Sequence, residues 1–135
     1  GPLLDRIDLH VEVTPVQFEQ LSASRTTENS NAIRKRVIET RQIQKQRFDS
    51  FPEIHCNAQM STQLTRELCQ ISESGMKLLK TAIEHLSLSA RAYDRILKVA
   101  RTIADMEQSR GIENHHLAEA IQYRNLDRET WGGKF

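Results

Sequence analysis

The spacing of apolar residues changes period along this chain. Between residues 7 and 13, Ile7, Leu9, Val11 and Val13 alternate with Asp8, His10 and Glu12, the period of two expected of a half-buried strand. The Leu-Leu-Asp-Arg-Ile-Asp run that overlaps its start reads as the last turn of a helix. From Thr14 to Ser30 the chain is rich in Ser, Thr and Asn, carries Pro15 and loses periodicity, so it reads as a linker. Asn31 to Phe48 has neither Gly nor Pro and is dense in helix formers, which predicts a long helix capped by Ser30 or Asn31 and ended by Phe51 and Pro52.

Beyond that point the spacing is helical throughout. Leu64, Leu68 and Ile71 predict a short helix from about Thr62 to Ile71, interrupted by Ser72, Ser74 and Gly75. Leu79, Ala82, Ile83 and Leu86 predict another over Met76 to Leu86. The strongest stripe is Tyr93, Ile96, Leu97, Ala100, Ile103 and Ala104. It is preceded by Ser89 as N-cap, with Leu88 and Tyr93 placed for a hydrophobic staple, and Gly111 suits its stop. Leu117, Ala120 and Ile121 mark a last short helix, about Asn114 to Tyr123, before a polar tail. The expected fold is all-α, a bundle of about five helices over residues 31–135, preceded by a strand fragment (1–13) and a linker (14–30).

Composition narrows the function classes. At 135 residues the chain is one domain, and 38% apolar with 5% aromatic residues suits a polar-surfaced helical domain rather than a sandwich or barrel. A formal charge of +1 argues against attachment to nucleic acid or anionic lipid by net charge, and leaves room for a local basic stripe. Cys56 and Cys69 have neither a Cys-x-x-Cys spacing nor disulfide-scaffold density, so they are expected to be reduced structural thiols. No metal site is implied. No apolar run reaches membrane-spanning length and no signal peptide is seen, which makes a cytoplasmic location the expectation.

Two arginines stand out as candidate chemistry. Arg91 falls at the second helical position after Ser89, where a cation faces the positive end of the helix dipole. Free N–H groups there plus a guanidinium fork make a phosphate site, although a tolerated surface arginine fits the same local sequence. Arg6 precedes the strand in an Asp-Arg-x-Asp run that by itself reads equally as an exposed ion pair. On the long helix Arg34, Arg41 and Lys45 share one stripe and Arg36 and Arg47 another; a nucleic-acid surface and a solvated helix face are both open. No aromatic residue is interleaved to stack bases. His115 and His116, being adjacent, are expected to point apart and not to share a metal. His55 beside Cys56 lacks an orienting third group for nucleophilic catalysis.

The two arginine segments, GPLLDRIDLHVEV and LSARAYDRILKVARTIADME with HLAEAIQYR after it, resemble the C-terminal part of magnesium-chelatase-related AAA+ proteins of the ComM/YifB type. The resemblance covers almost the whole chain. It implies that residues 1–13 are a remnant of the ATPase core, with Arg6 as arginine finger toward a neighbouring subunit. Residues 31–135 would be the helical lid, with Ser89 and Arg91 as its sensor-2 segment on the γ-phosphate. Phe51 to Leu86 would be the helical insertion that swings the lid. ATP and Mg²⁺ are then expected in the full-length parent and not on this stretch alone, which has no Gly-x-x-x-x-Gly-Lys-Ser/Thr loop. The implied partners are the AAA+ core of the same chain and its neighbours in a hexamer, with DNA as the material remodelled. A DNA- or protein-binding helical module and a metal-chelatase motor subunit are the alternatives.

Overall fold

A computed structural model of the chain describes residues 3, 6–13, 15 and 28–124. Most of the expected linker and the tail from residue 125 onward lie outside these. Five α-helices are seen among the described residues: α1 (Ser30–Arg47), α2 (Thr62–Leu68), α3 (Glu73–Leu86), α4 (Ala90–Met106) and α5 (Asn114–Gln122), with a 3-10 turn at Asn57–Gln59 between α1 and α2. The helix-bundle expectation holds. None of the helices is long and apolar enough to cross a membrane.

Helix α4 is the hub. Its predicted stripe buries Ile96, Leu97, Ala100 and Ala104 completely or nearly so, with Tyr93 and Ile103 at the margin. It packs against α5 most extensively, and against α1, α2 and the 3-10 turn. Leu64, Leu79, Leu117 and Ala120 from the other helices complete the core. Cys69 also lies in it as a free thiol, and burial pushes its pKa up to about 11 against the lowering pull of Arg101 and Arg47, so it stays protonated. By contrast α1 buries only Thr40 and Gln44, so polar contacts rather than an apolar stripe fasten it.

Two helix starts differ from the expected ones, each set by a side-chain cap. Helix α1 is capped by Asn29, whose side chain accepts from the Ala32 N–H at 2.8 Å, one residue before the predicted candidates. Ser72 does not interrupt but caps α3, accepting from the Gly75 N–H at 3.1 Å, so the helix begins at Glu73 rather than Met76. Gly75 sits within it because α5 crosses there. A Cβ at this position would lie 2.9 Å from Leu117 Cδ1 and 3.1 Å from Asn114 Oδ1. Leu117 is wholly buried and has nowhere to go. Gly75→Val is therefore expected to cost about 1–3 kcal/mol through overpacking, read as a lower urea midpoint. Gly111→Ala, where a Cβ meets nothing within 4 Å, should leave stability within about 0.5 kcal/mol of wild type.

Gly111 is not the stop of α4. The helix ends at Met106 and Gln108 adopts φ 57°, with Ser109 N–H bonded to Ala104 O (2.8 Å) and Gln108 N–H to Asp105 O (3.0 Å), a Schellman closure built on a non-glycine residue. Residues 7–13 are also not a strand. A strand needs a neighbouring strand to bond, and none lies among the described residues. Instead the segment runs beside α4 and α5, with the His10 N–H donating to Tyr123 O at 2.8 Å and the buried Arg124 donating to Ile7 O. The expected apolar face of Ile7, Leu9, Val11 and Val13 is not buried, and His10 is the one residue of the segment that turns inward.

Candidate functional site

The N-terminus of α4 forms as its sequence implies. Ser87 takes a left-handed conformation (φ 52°) that closes α3, and the Leu88 N–H bonds to Ile83 O at 3.0 Å. Ser89 follows as N-cap, its Oγ accepting from the Ala92 N–H at 3.2 Å and its carbonyl from the Tyr93 N–H at 3.2 Å. Leu88 and Tyr93 both pack on the core and line one shallow surface pocket of about 350 Å³ with Arg66, Ile83, Ser89 and Ala90. The Arg66 guanidinium stacks on the Tyr93 ring, 5.4 Å from its centroid, and Asp94 accepts from the Thr62 hydroxyl at 2.9 Å. These contacts fix where the first turn points. The N–H groups of Ala90 and Arg91 point out of the helix end, and that turn contains no acid.

Arg91 itself is exposed and has no hydrogen bond or ion pair to any described residue. The contrast along α4 is informative. Arg95 pairs with Asp8 and Arg101 with Asp105, while Arg91, one turn before Arg95, is left at the positive end of the dipole. Arg6 is also exposed, its N–H donating to Leu3 O at 3.2 Å. The Asp8–Arg95 pair holds the segment that carries Arg6 against the helix that carries Arg91. The two guanidinium groups are on adjoining elements and make no contact with each other.

Arg34, Arg41 and Lys45 are all exposed along α1. Of the other basic stripe, Arg36 pairs with Glu28 and Arg47 turns inward. Its two terminal nitrogens donate to the Asp105 carboxylate at 2.8 and 2.6 Å, and one also donates to Asn57 Oδ1 at 2.9 Å. Asp105, 1% exposed, further accepts from Asn57 Nδ2 (2.9 Å) and Arg101 Nε (3.2 Å). Arg101 spends its remaining donors on the Ser109 and Arg110 carbonyls. Sequence reasoning missed this cluster. Its one local signal is the Arg101/Asp105 spacing of four inside an apolar stripe. The cluster lies about 20 Å along α4 from Arg91, so it is structural support and no part of the arginine site.

The histidine pair does not diverge as expected. Both imidazoles meet Glu107: His115 Nε2 lies 3.1 Å from Oε2, and His116 pairs with the same carboxylate. His116 is buried at the start of α5, where its Nδ1 accepts from the Glu113 N–H at 2.9 Å in a capping box that uses histidine where Glu or Gln is usual. This fold-back brings adjacent residues to one point. The ligand atoms of Glu107, His115 and His116 lie within 4.8 Å of one another. A neutral His116 that accepts at Nδ1 carries its proton on Nε2, facing Glu107, so coordinating a cation there would cost the cap. Burial acts to raise the Glu107 pKa, but the hydrogen bonds and charges of the two imidazoles outweigh it and hold the carboxylate below its ordinary range.

Comparison with known proteins places the chain in a family. A family model described as "Magnesium chelatase, subunit ChlI C-terminal" matches residues 27–124. YifB of Escherichia coli (strain K12) is 38% identical over 129 residues, 95% of this chain. Competence protein ComM of Haemophilus influenzae is 37% identical over the same length. An uncharacterized protein of Mycobacterium bovis is 35% identical over 126 residues, 92% of the chain. In each case the match occupies 24% of the relative, so the chain spans about a quarter of the length of the curated relatives it matches.

Proposed function

Because the chain belongs to the magnesium chelatase subunit ChlI C-terminal family, the lid domain of magnesium-chelatase-like proteins, we propose that it closes over ATP and couples hydrolysis to a hexameric DNA-remodelling motor. The observation that carries this reading is Arg91: an exposed guanidinium, with no ion pair among the described residues, on a serine-capped, acid-free helix start. A cation at that end of a helix is unfavourable by itself and becomes favourable when an anion lies between it and the backbone donors. The γ-phosphate of ATP, with its Mg²⁺, supplies that anion and the bond to be broken. Ser89 orients the turn, and Arg91 reaches the phosphate as sensor 2.

Arg6 acts as the finger toward nucleotide held by a neighbouring subunit. Arg95, through Asp8, keeps its segment in register with the sensor helix. The exposed Ile7, Leu9, Val11 and Val13 are an apolar face for the ATPase core to cover. A relative named a competence protein supports DNA as the material remodelled. The test is hydrolysis by an assembly carrying both core and lid, with branched DNA or a porphyrin added. Stimulation by branched DNA is the expected result; stimulation by porphyrin alone would assign the lid to a metal-chelatase motor instead.

A further inference from the structure

Helix α1 is charged unlike the rest of the chain. It carries Arg34, Lys35, Arg36, Arg41, Lys45 and Arg47 against the single acid Glu39, in a protein whose formal net charge is only +1. Arg36 and Arg47 are consumed by Glu28 and Asp105. Arg34, Arg41 and Lys45 remain exposed on one stripe with no ion pair among the described residues. A row of unpaired like charges costs free energy unless a polyanion lies along it. Arg41 and Lys45 stand about 6 Å apart along the axis, close to the phosphate spacing of a nucleic-acid strand.

The helix sequence offers no aromatic among these cations, but the fold supplies one. After α1 the chain turns back on itself, with the Phe51 N–H bonded to Phe48 O (2.9 Å) and the Ile54 N–H to Phe51 O (3.1 Å). The result is a groove of about 440 Å³ whose lining includes Arg41, Lys45, Phe48, Phe51, Pro52 and His55; among the described residues Asp49 is its only acid. Phe48 is buried and holds the Phe51 ring edge-on, centroids 6.3 Å apart at 76°. Phe51 stays 37% exposed. A ring braced by a buried partner is a stacking platform, and it sits beside the two cations.

We infer that this groove binds single-stranded nucleic acid, with a base stacked on Phe51 and the phosphates running along Lys45, Arg41 and Arg34. A duplex would satisfy the cations but keeps its bases stacked on each other, leaving the ring idle. An acidic peptide would likewise satisfy the cations without offering a flat partner to the ring. The inference is independent of the nucleotide reading of Arg91, because α1 joins α4 at the Asp105 end.

The experiment is fluorescence anisotropy of a labelled oligothymidylate titrated with this 135-residue chain over a range of salt. Binding at low salt is expected, with a log–log salt slope of about −2 for three phosphates neutralised on a single strand. Arg41→Gln together with Lys45→Gln should weaken binding at least about tenfold and flatten that slope. Phe51→Ala should weaken it about fivefold or more at unchanged slope, and Phe51→Tyr, which keeps the ring, should restore it. Thermal melts confirm that each variant is folded; if Phe51→Ala is not, the Arg41/Lys45 pair and the Tyr variant decide. Absence of binding at the lowest salt, variants that bind like wild type, a duplex bound as tightly as the single strand, or equal displacement by polyglutamate would each overturn the proposal.

Discussion

Asp105→Ala is expected to lower stability by about 3–5 kcal/mol, the usual consequence of stripping the acid from a buried ion pair. One carboxylate neutralises both Arg47 and Arg101 and also accepts from Asn57. Without it, two guanidinium groups are left in the interior with no counter-charge, and α1 loses its strongest tie to the hub. Helix α1 is otherwise held by Gln44, which accepts from the Asn57 N–H at 2.9 Å, and by the buried Phe48 at its C-cap. Asp105→Asn should be nearly as harmful, because it preserves shape but not charge. Replacing the acid and both arginines together, by Asp105→Leu, Arg47→Met and Arg101→Met, should recover part of the loss, since no unpaired charge then remains buried. Thermal unfolding followed by circular dichroism checks this: the single Ala variant should melt more than about 10 °C below wild type. A melting temperature equal to wild type would show that the cluster is not what fastens α1.

What the sequence made legible was local. The Ser89 cap, Leu88, Tyr93 and the α4 stripe lie within a few turns of one another, so spacing alone locates them. Arg91 is conspicuous for the same reason, because its conflict with the dipole is visible in three residues. Gly75 was misread as a break because the reason for it, Leu117, is 42 residues away. The Asp105 cluster joins partners 48 and 58 residues apart, and nothing in the local pattern of Arg47 separates it from its solvent-facing neighbours. His115 and His116 converge only because a capping box folds one of them back. Residues 7–13 carry a genuine alternation, but alternation specifies a face and not a partner; without a second strand among the described residues the apolar face stays exposed and only His10 is buried.

The same limit applies to function. Arg6 and Arg91 are placed on adjoining elements, both exposed and without an ion pair among the described residues, and the role proposed for them is on a nucleotide held between subunits. If each stabilises charge that develops on the transferred phosphoryl group, the loss falls on the chemical step and not on ATP binding. Arg91→Ala and Arg6→Ala should then each reduce hydrolysis by about a thousandfold or more. Loss of a merely structural surface arginine would instead change stability by less than about 0.5 kcal/mol and leave turnover alone. The most direct measurement is steady-state ATP hydrolysis, with ATP binding followed in parallel, by an assembly of core and lid carrying wild-type, Arg91→Ala or Arg6→Ala sequence. The lid account predicts hydrolysis collapsing in both variants while ATP still binds; wild-type turnover in both would contradict it.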